Sequence, residues 1–159
     1  MGKDQTAWIS RLFYVGAVFN WLVTVGSILD PVASSELFGI EPPRYPFLLR
    51  IWAGMAFLFG CMFLDIARDP LGKRALIPYA WAEKAVSAVS VTVGAVWGHA
   101  PLVLLLMVVV TDWIWIPPFL AADCRLRRIA AERGPDAEGD QGTGVAGESG
   151  RGAATRRSG

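Results

Sequence analysis

Up to Ala122 the chain alternates long apolar runs with short turns rich in Pro, Gly and charge. Four runs reach or approach the ~20 residues that an α-helix needs to cross ~30 Å of hydrocarbon: residues 12–29, the shortest, then 47–67, 76–97 and 102–122. Asp30-Pro31 and Pro42-Pro43 separate the first two, Arg68-Asp69-Pro70-Leu71-Gly72 the next pair, and Gly98-His99-Ala100-Pro101 the last. Lipid offers no water to an unpaired backbone group, so each run predicts a helix. An outer-membrane barrel needs short alternating strands, which these continuous runs are not. The expected fold is therefore all-α, an integral membrane four-helix bundle.

Composition agrees with the pattern. Of 159 residues, 53% are hydrophobic, above the roughly 45–50% of soluble domains. The formal net charge of +1 conceals a sparse body and a crowded tail, and it gives no reason to expect a nucleic-acid partner. Two cysteines, Cys61 and Cys124, fall in no metal or disulfide spacing; Cys61 is expected to be a small packing residue and Cys124 a free cytoplasmic thiol. Neither cofactor nor metal is indicated, and the single histidine, His99, lies in a loop.

Basic residues set the orientation. Lys3 and Arg11 precede the first run, Arg68, Lys73 and Arg74 fill the second loop, and Arg125, Arg127 and Arg128 follow the fourth run. The positive-inside rule puts all three clusters, and both termini, in the cytoplasm. A cleaved signal peptide ending near Val32-Ala33-Ser34 is the rival reading of the first run, but its apolar core exceeds the usual 7–15 residues. The expected organisation is a cytoplasmic N-terminus (1–11), a four-span domain (12–128) and a cytoplasmic, mostly disordered tail (129–159). The tail is crowded with Gly and charge and lacks the apolar residues to fold alone. The location that follows is the cell membrane, as a multi-pass protein.

Polar residues inside the spans carry the candidate chemistry, because an ionisable group at membrane depth costs ~2.5–3.5 kcal/mol and has to face a partner, a cavity or the bundle interior. At ~1.5 Å per residue from the inner ends, Glu83 and Lys84 lie roughly 10–12 Å deep, Asn20 roughly 12 Å and Asp112 roughly 15 Å, so the four can meet in one layer. Arg50 and Asp65 sit near helix ends and are expected to anchor there. Neighbouring helix residues point about 100° apart, so either Glu83 or Lys84, not both equally, faces Asp112. Asn20 is expected to add a hydrogen bond. Ser87 and Ser90 extend the Glu83 face.

Trp8, Trp97, Tyr45 and Tyr79 fall near the expected interfaces. Trp21, Trp52, Trp81, Trp113 and Trp115 fall within the spans, where they either fill space or line a wall for a flat or cationic ligand. Gly16, Ala17, Gly54 and Gly60 favour close helix contacts. Pro117-Pro118 should kink the fourth helix one turn after Asp112.

Arg11-Leu-Phe-Tyr-Val-Gly16, followed by Arg50-Ile-Trp-Ala-Gly54 ending in Phe-Leu-Phe-Gly60 and by two further spans, resembles the small bacterial four-helix membrane proteins of the DoxX-like and BphX-like type over residues 11–122. The resemblance implies a bacterial inner-membrane accessory protein, since some members are tied to respiratory or oxidative-stress partners. In architecture alone the chain also resembles the sterol-isomerase-like EXPERA proteins. That likeness implies an acid–base pair of Glu83 and Asp112, with Trp81 and Trp113 stabilising a cation.

Two functions follow as expectations. The first is an accessory protein that binds a partner or lipid, in which Asn20, Trp81, Glu83, Lys84, Asp112 and Trp113 form a polar layer or pocket. The second is a membrane-embedded isomerase-like or lipid-modifying enzyme using Glu83 and Asp112. Expected partners are membrane lipids, an apolar small molecule, and a membrane protein or a second copy of the chain.

Overall fold

The computed structural model describes residues 3–133, and every regular element among them is helical. Helix α1 spans Lys3–Leu29, a short α2 Pro31–Leu37, α3 Pro46–Arg68, α4 Ile77–Val96, α5 Leu102–Thr111 and α6 Ile116–Arg133. Single 3-10 turns at Arg74–Leu76 and Trp113–Trp115 lead into α4 and α6. Prolines open three of the helices, at Pro31, Pro46 and Pro78, where a missing N–H costs nothing. Asp30 caps α2, accepting from the amides of Val32 at 3.1 Å and Ala33 at 3.0 Å. This short helix fills what the sequence pattern reads as a plain loop.

Among the described residues three helices are long and apolar enough to cross a membrane: Thr6–Leu29, Pro46–Arg68, and α5 with α6 taken together as Leu102–Glu132. Their outer faces are apolar and open, with Leu22 71% and Leu58 66% exposed, a surface suited to lipid rather than water. Helix α4 has 20 residues, about 30 Å at 1.5 Å per residue, but Glu83, Lys84 and its Ser and Thr residues dilute its apolar character.

Helices α1 and α3 form the closest pair. A Cβ on Gly60 would stand 2.6 Å from Trp21 Nε1, so glycine is what lets the indole lie across α3 and donate to the Phe57 carbonyl at 3.2 Å. Helices α4 and α6 form the second pair, and the two pairs meet in a core built on three phenylalanines. Phe13 stacks on Phe119 with centroids 4.7 Å apart, and Phe63 meets both rings edge-on at 5.8 and 5.2 Å. Such pairs contribute about 0.5–1.5 kcal/mol each beyond area burial.

Below this cluster Ile9, Ile66, Ile77, Leu126 and Ile129 are buried together, and Ser10 Oγ donates to the Ala67 carbonyl. The start of α1, the α3–α4 turn and the second half of α6 therefore gather at one end of the molecule. Arg11, Arg68, Lys73, Arg125 and Arg128 are all exposed there.

The fourth run is interrupted earlier than its prolines suggest. Asp112 ends α5 and α6 begins at Ile116. Pro117 and Pro118 lack the N–H groups that would bond the carbonyls four residues earlier, so the break falls upstream of the prolines. They occupy the first turn of α6, where proline is tolerated. Cys61, expected inside the packing, is exposed on α3, because Gly60 and Phe63 take the inward positions beside it. Cys124 is exposed as well. Helix α6 continues to Arg133, held by buried Leu126 and Ile129 and by Arg127, which grips Asp123 bidentately at 2.9 and 3.0 Å. The tail expected beyond it, residues 134–159, lies outside the described residues.

Candidate functional site

Lys84 is the hub of a polar layer joining four helices. Its ammonium donates to Asn20 Oδ1 of α1 at 2.9 Å and lies 3.2 Å from Asp112 Oδ1 at the end of α5. Asn20 is fixed in turn, its amide nitrogen donating to the Ala56 carbonyl of α3 at 3.1 Å. Thr24 Oγ1 ties back to the Asn20 carbonyl at 2.6 Å, a local bond that satisfies the buried hydroxyl.

Asp112 is equally well held. Its second oxygen accepts from Ser87 Oγ of α4 at 3.1 Å and from Thr111 Oγ1 at 2.9 Å. The break at Asp112 frees its backbone carbonyl, which accepts from the Trp115 amide at 3.0 Å. Side-chain accessibility is 5% for both Lys84 and Asp112. Paired charges, each with further hydrogen bonds, are the arrangement in which burial is tolerated.

Glu83 faces elsewhere. Its Oε2 lies 3.3 Å from Lys84 Nζ, an ion contact without hydrogen-bond geometry, and this oxygen is sealed from solvent and accepts no hydrogen bond. The carboxylate borders an apolar groove of about 550 Å³ between α3 and α4. One wall is Trp52, Met55, Ala56 and Phe59, and the other carries Tyr79, Glu83, Val86, Ser87 and Ser90. Both walls follow helical spacing, at 52, 55, 56, 59 and at 79, 83, 86, 87, 90. The 100° step between Glu83 and Lys84 explains their division of labour: one turns to the groove, the other to the interior.

The structure thus brings Asn20, Glu83, Lys84 and Asp112 together and leaves Trp81 and Trp113 out of the groove wall. Trp113 is 40% exposed and donates to Thr92 Oγ1 at 3.2 Å. Trp81 packs beside the phenylalanine core, its indole nitrogen buried without a hydrogen-bond partner. Trp52, Phe59 and Tyr79 are the aromatic residues that do border the groove; their register with Glu83 could be read from the sequence, but the face each helix turns to its neighbour could not. Of the two acid–base candidates, only Glu83 borders the groove. Arg50 donates to the Ile28 carbonyl at 2.9 Å near the C-terminus of α1, where a cation is favoured. Asp65 pairs with Arg68 at 3.8 Å, both exposed.

Among the described residues no group of three or more His, Cys, Asp or Glu side chains is placed to hold a metal ion. No protein-family model, no curated protein and no solved structure matches this chain.

Proposed function

We propose that this chain is a multi-pass protein of the cell membrane, a four-helix bundle with both termini in the cytoplasm, that binds an apolar small molecule or lipid in the groove between α3 and α4. The observation that carries the reading is the groove itself: a space of about 550 Å³ walled almost entirely by apolar and aromatic side chains, with one carboxylate at its edge. Concave, mostly apolar sites with few polar groups are the usual form of small-molecule pockets.

The polar layer supports the fourth span. A helix carrying Glu83 and Lys84 enters hydrocarbon at a cost, and the bonds from Lys84 to Asn20 and Asp112 offset it. The basic cluster at one end of the molecule supports the orientation, by the excess of Lys and Arg on cytoplasmic sides. The role is accessory rather than catalytic in this reading, because Asp112 is consumed by internal bonds.

The test is mass spectrometry of apolar compounds that co-purify with the detergent-extracted protein, comparing the unmodified chain with Ala82→Trp. Ala82 borders the groove, so the indole fills it. A defined compound retained by the unmodified chain and lost from a monodisperse Ala82→Trp variant is the expected result. Identical bulk phospholipid in both would overturn the binding reading.

A further inference from the structure

The charge count around the groove specifies its occupant. Glu83 and Asp112 are two carboxylates, and the ion contacts of both run to the single ammonium of Lys84. Asp112 has the better share, because Ser87 and Thr111 also donate to it. Glu83 has only the 3.3 Å contact, made by the oxygen that accepts no hydrogen bond. With all three groups ionised, the layer holds one surplus negative charge, located on the one member that borders the groove.

A surplus charge in a low-dielectric setting is relieved by a counter-ion or by uptake of a proton. No water competes for it in hydrocarbon. The groove that Glu83 borders has walls suited to receive a counter-ion, since Trp52, Phe59 and Tyr79 line it and aromatic rings attract cations. Ser87 and Ser90, on the same wall, add hydroxyl oxygens that accept from an ammonium N–H.

From this we infer that the groove selects an apolar molecule bearing one protonated amine, whose ammonium pairs with Glu83 while its hydrocarbon body lies between α3 and α4. This rests on the binding reading above and narrows it to a class of ligand. Ser87 would sit at the junction, donating to Asp112 while its oxygen lone pairs remain open to the ammonium.

The experiment is photolabelling of the full chain in lipid nanodiscs with two probes of equal length, a diazirine-bearing hexadecylamine and the corresponding hexadecanol, with crosslinks mapped by peptide mass spectrometry. The expected result is labelling of the groove walls, at Met55, Phe59 or Val86, on the order of tenfold stronger for the amine. Glu83→Gln should bring the amine down to the level of the alcohol, and Glu83→Asp, which keeps the charge, should preserve the preference even if Glu83→Gln folds poorly. Equal labelling of the groove by both probes, unaffected by Glu83→Gln, overturns the charge selection and leaves the apolar site intact, as a proton retained on Glu83 would produce. Absence of both probes from the groove walls overturns the selection and the binding reading together.

Discussion

Lys84 Nζ stands 3.2 Å from Asp112 Oδ1, joining the middle of α4 to the break between α5 and α6, with both side chains shut off from the surface. The two residues are the only pairing in the molecule that links the fourth apolar run to α4 through full charges at this depth among the described residues, so the bundle's register depends on it. A buried pair adds little over an apolar replacement but is expensive to break on one side.

Lys84→Met should therefore cost about 3–5 kcal/mol, because it strands two carboxylates among apolar side chains. The double variant Lys84→Met with Asp112→Leu should recover at least half of the loss. Thermal unfolding of the purified protein, followed by size-exclusion chromatography of heated samples, reads both. Equal stability of the single variant and the unmodified chain would overturn the dependence of the fold on this ion pair.

Asn20→Leu tests the other arm of the hub. It removes the acceptor that Lys84 uses at 2.9 Å and the donor that reaches the Ala56 carbonyl at 3.1 Å. Hydrogen bonds between membrane helices contribute about 0.6 to 1.7 kcal/mol, and the charged donor puts this loss in the upper part of that range. The same heated-sample assay should place Asn20→Leu between the unmodified chain and Lys84→Met.

How much of this was legible in the sequence differs by level. Helix existence was, because runs such as residues 47–67 are too long and too continuous for anything else in lipid. The meeting of Asn20, Lys84 and Asp112 was visible as a coincidence of depth, since 1.5 Å per residue fixes height along the axis. Rotation about the axis was not, because the apolar face of a lipid-exposed helix resembles its packed face, so the sequence does not tell which of the five Trp residues within the spans line a wall; Trp52 does, with Phe59 and Tyr79, and Trp81 and Trp113 do not. The site of the break in the fourth run was hidden for a different reason: prolines disturb the carbonyls four residues earlier, so the visible signal at Pro117-Pro118 lies downstream of its effect at Asp112.

Gly60 should be close to irreplaceable. Its Cβ position lies 2.6 Å from Trp21 Nε1 and 3.3 Å from the Ala17 carbonyl, so Gly60→Val would push α1 from α3 and break the indole bond to Phe57. Overpacking of this kind costs about 1–3 kcal/mol. Adding Trp21→Ala opens the space and should restore part of the stability, whereas Gly54→Ala, inside α3 where a Cβ meets nothing within 4 Å, should raise the melting temperature slightly, since alanine is favoured over glycine in a helix interior by about 0.5–1 kcal/mol.

Orientation is decided by cysteine accessibility. Lys73 in the α3–α4 turn and His99 in the α4–α5 turn are both exposed and lie at opposite ends of α4, so in the proposed topology they face opposite compartments. In a background without Cys61 and Cys124, His99→Cys should react with a membrane-impermeant maleimide in intact cells, and Lys73→Cys only in inverted vesicles. Native Cys61, seven positions from the end of α3 and exposed on its surface, should resist the reagent from both sides until detergent replaces the bilayer, since a membrane-impermeant maleimide does not enter hydrocarbon. The opposite pattern for Lys73 and His99 would place both termini outside. Reaction of both engineered cysteines from the same side would mean that α4 does not cross the membrane, and the bundle would then have three spans rather than four.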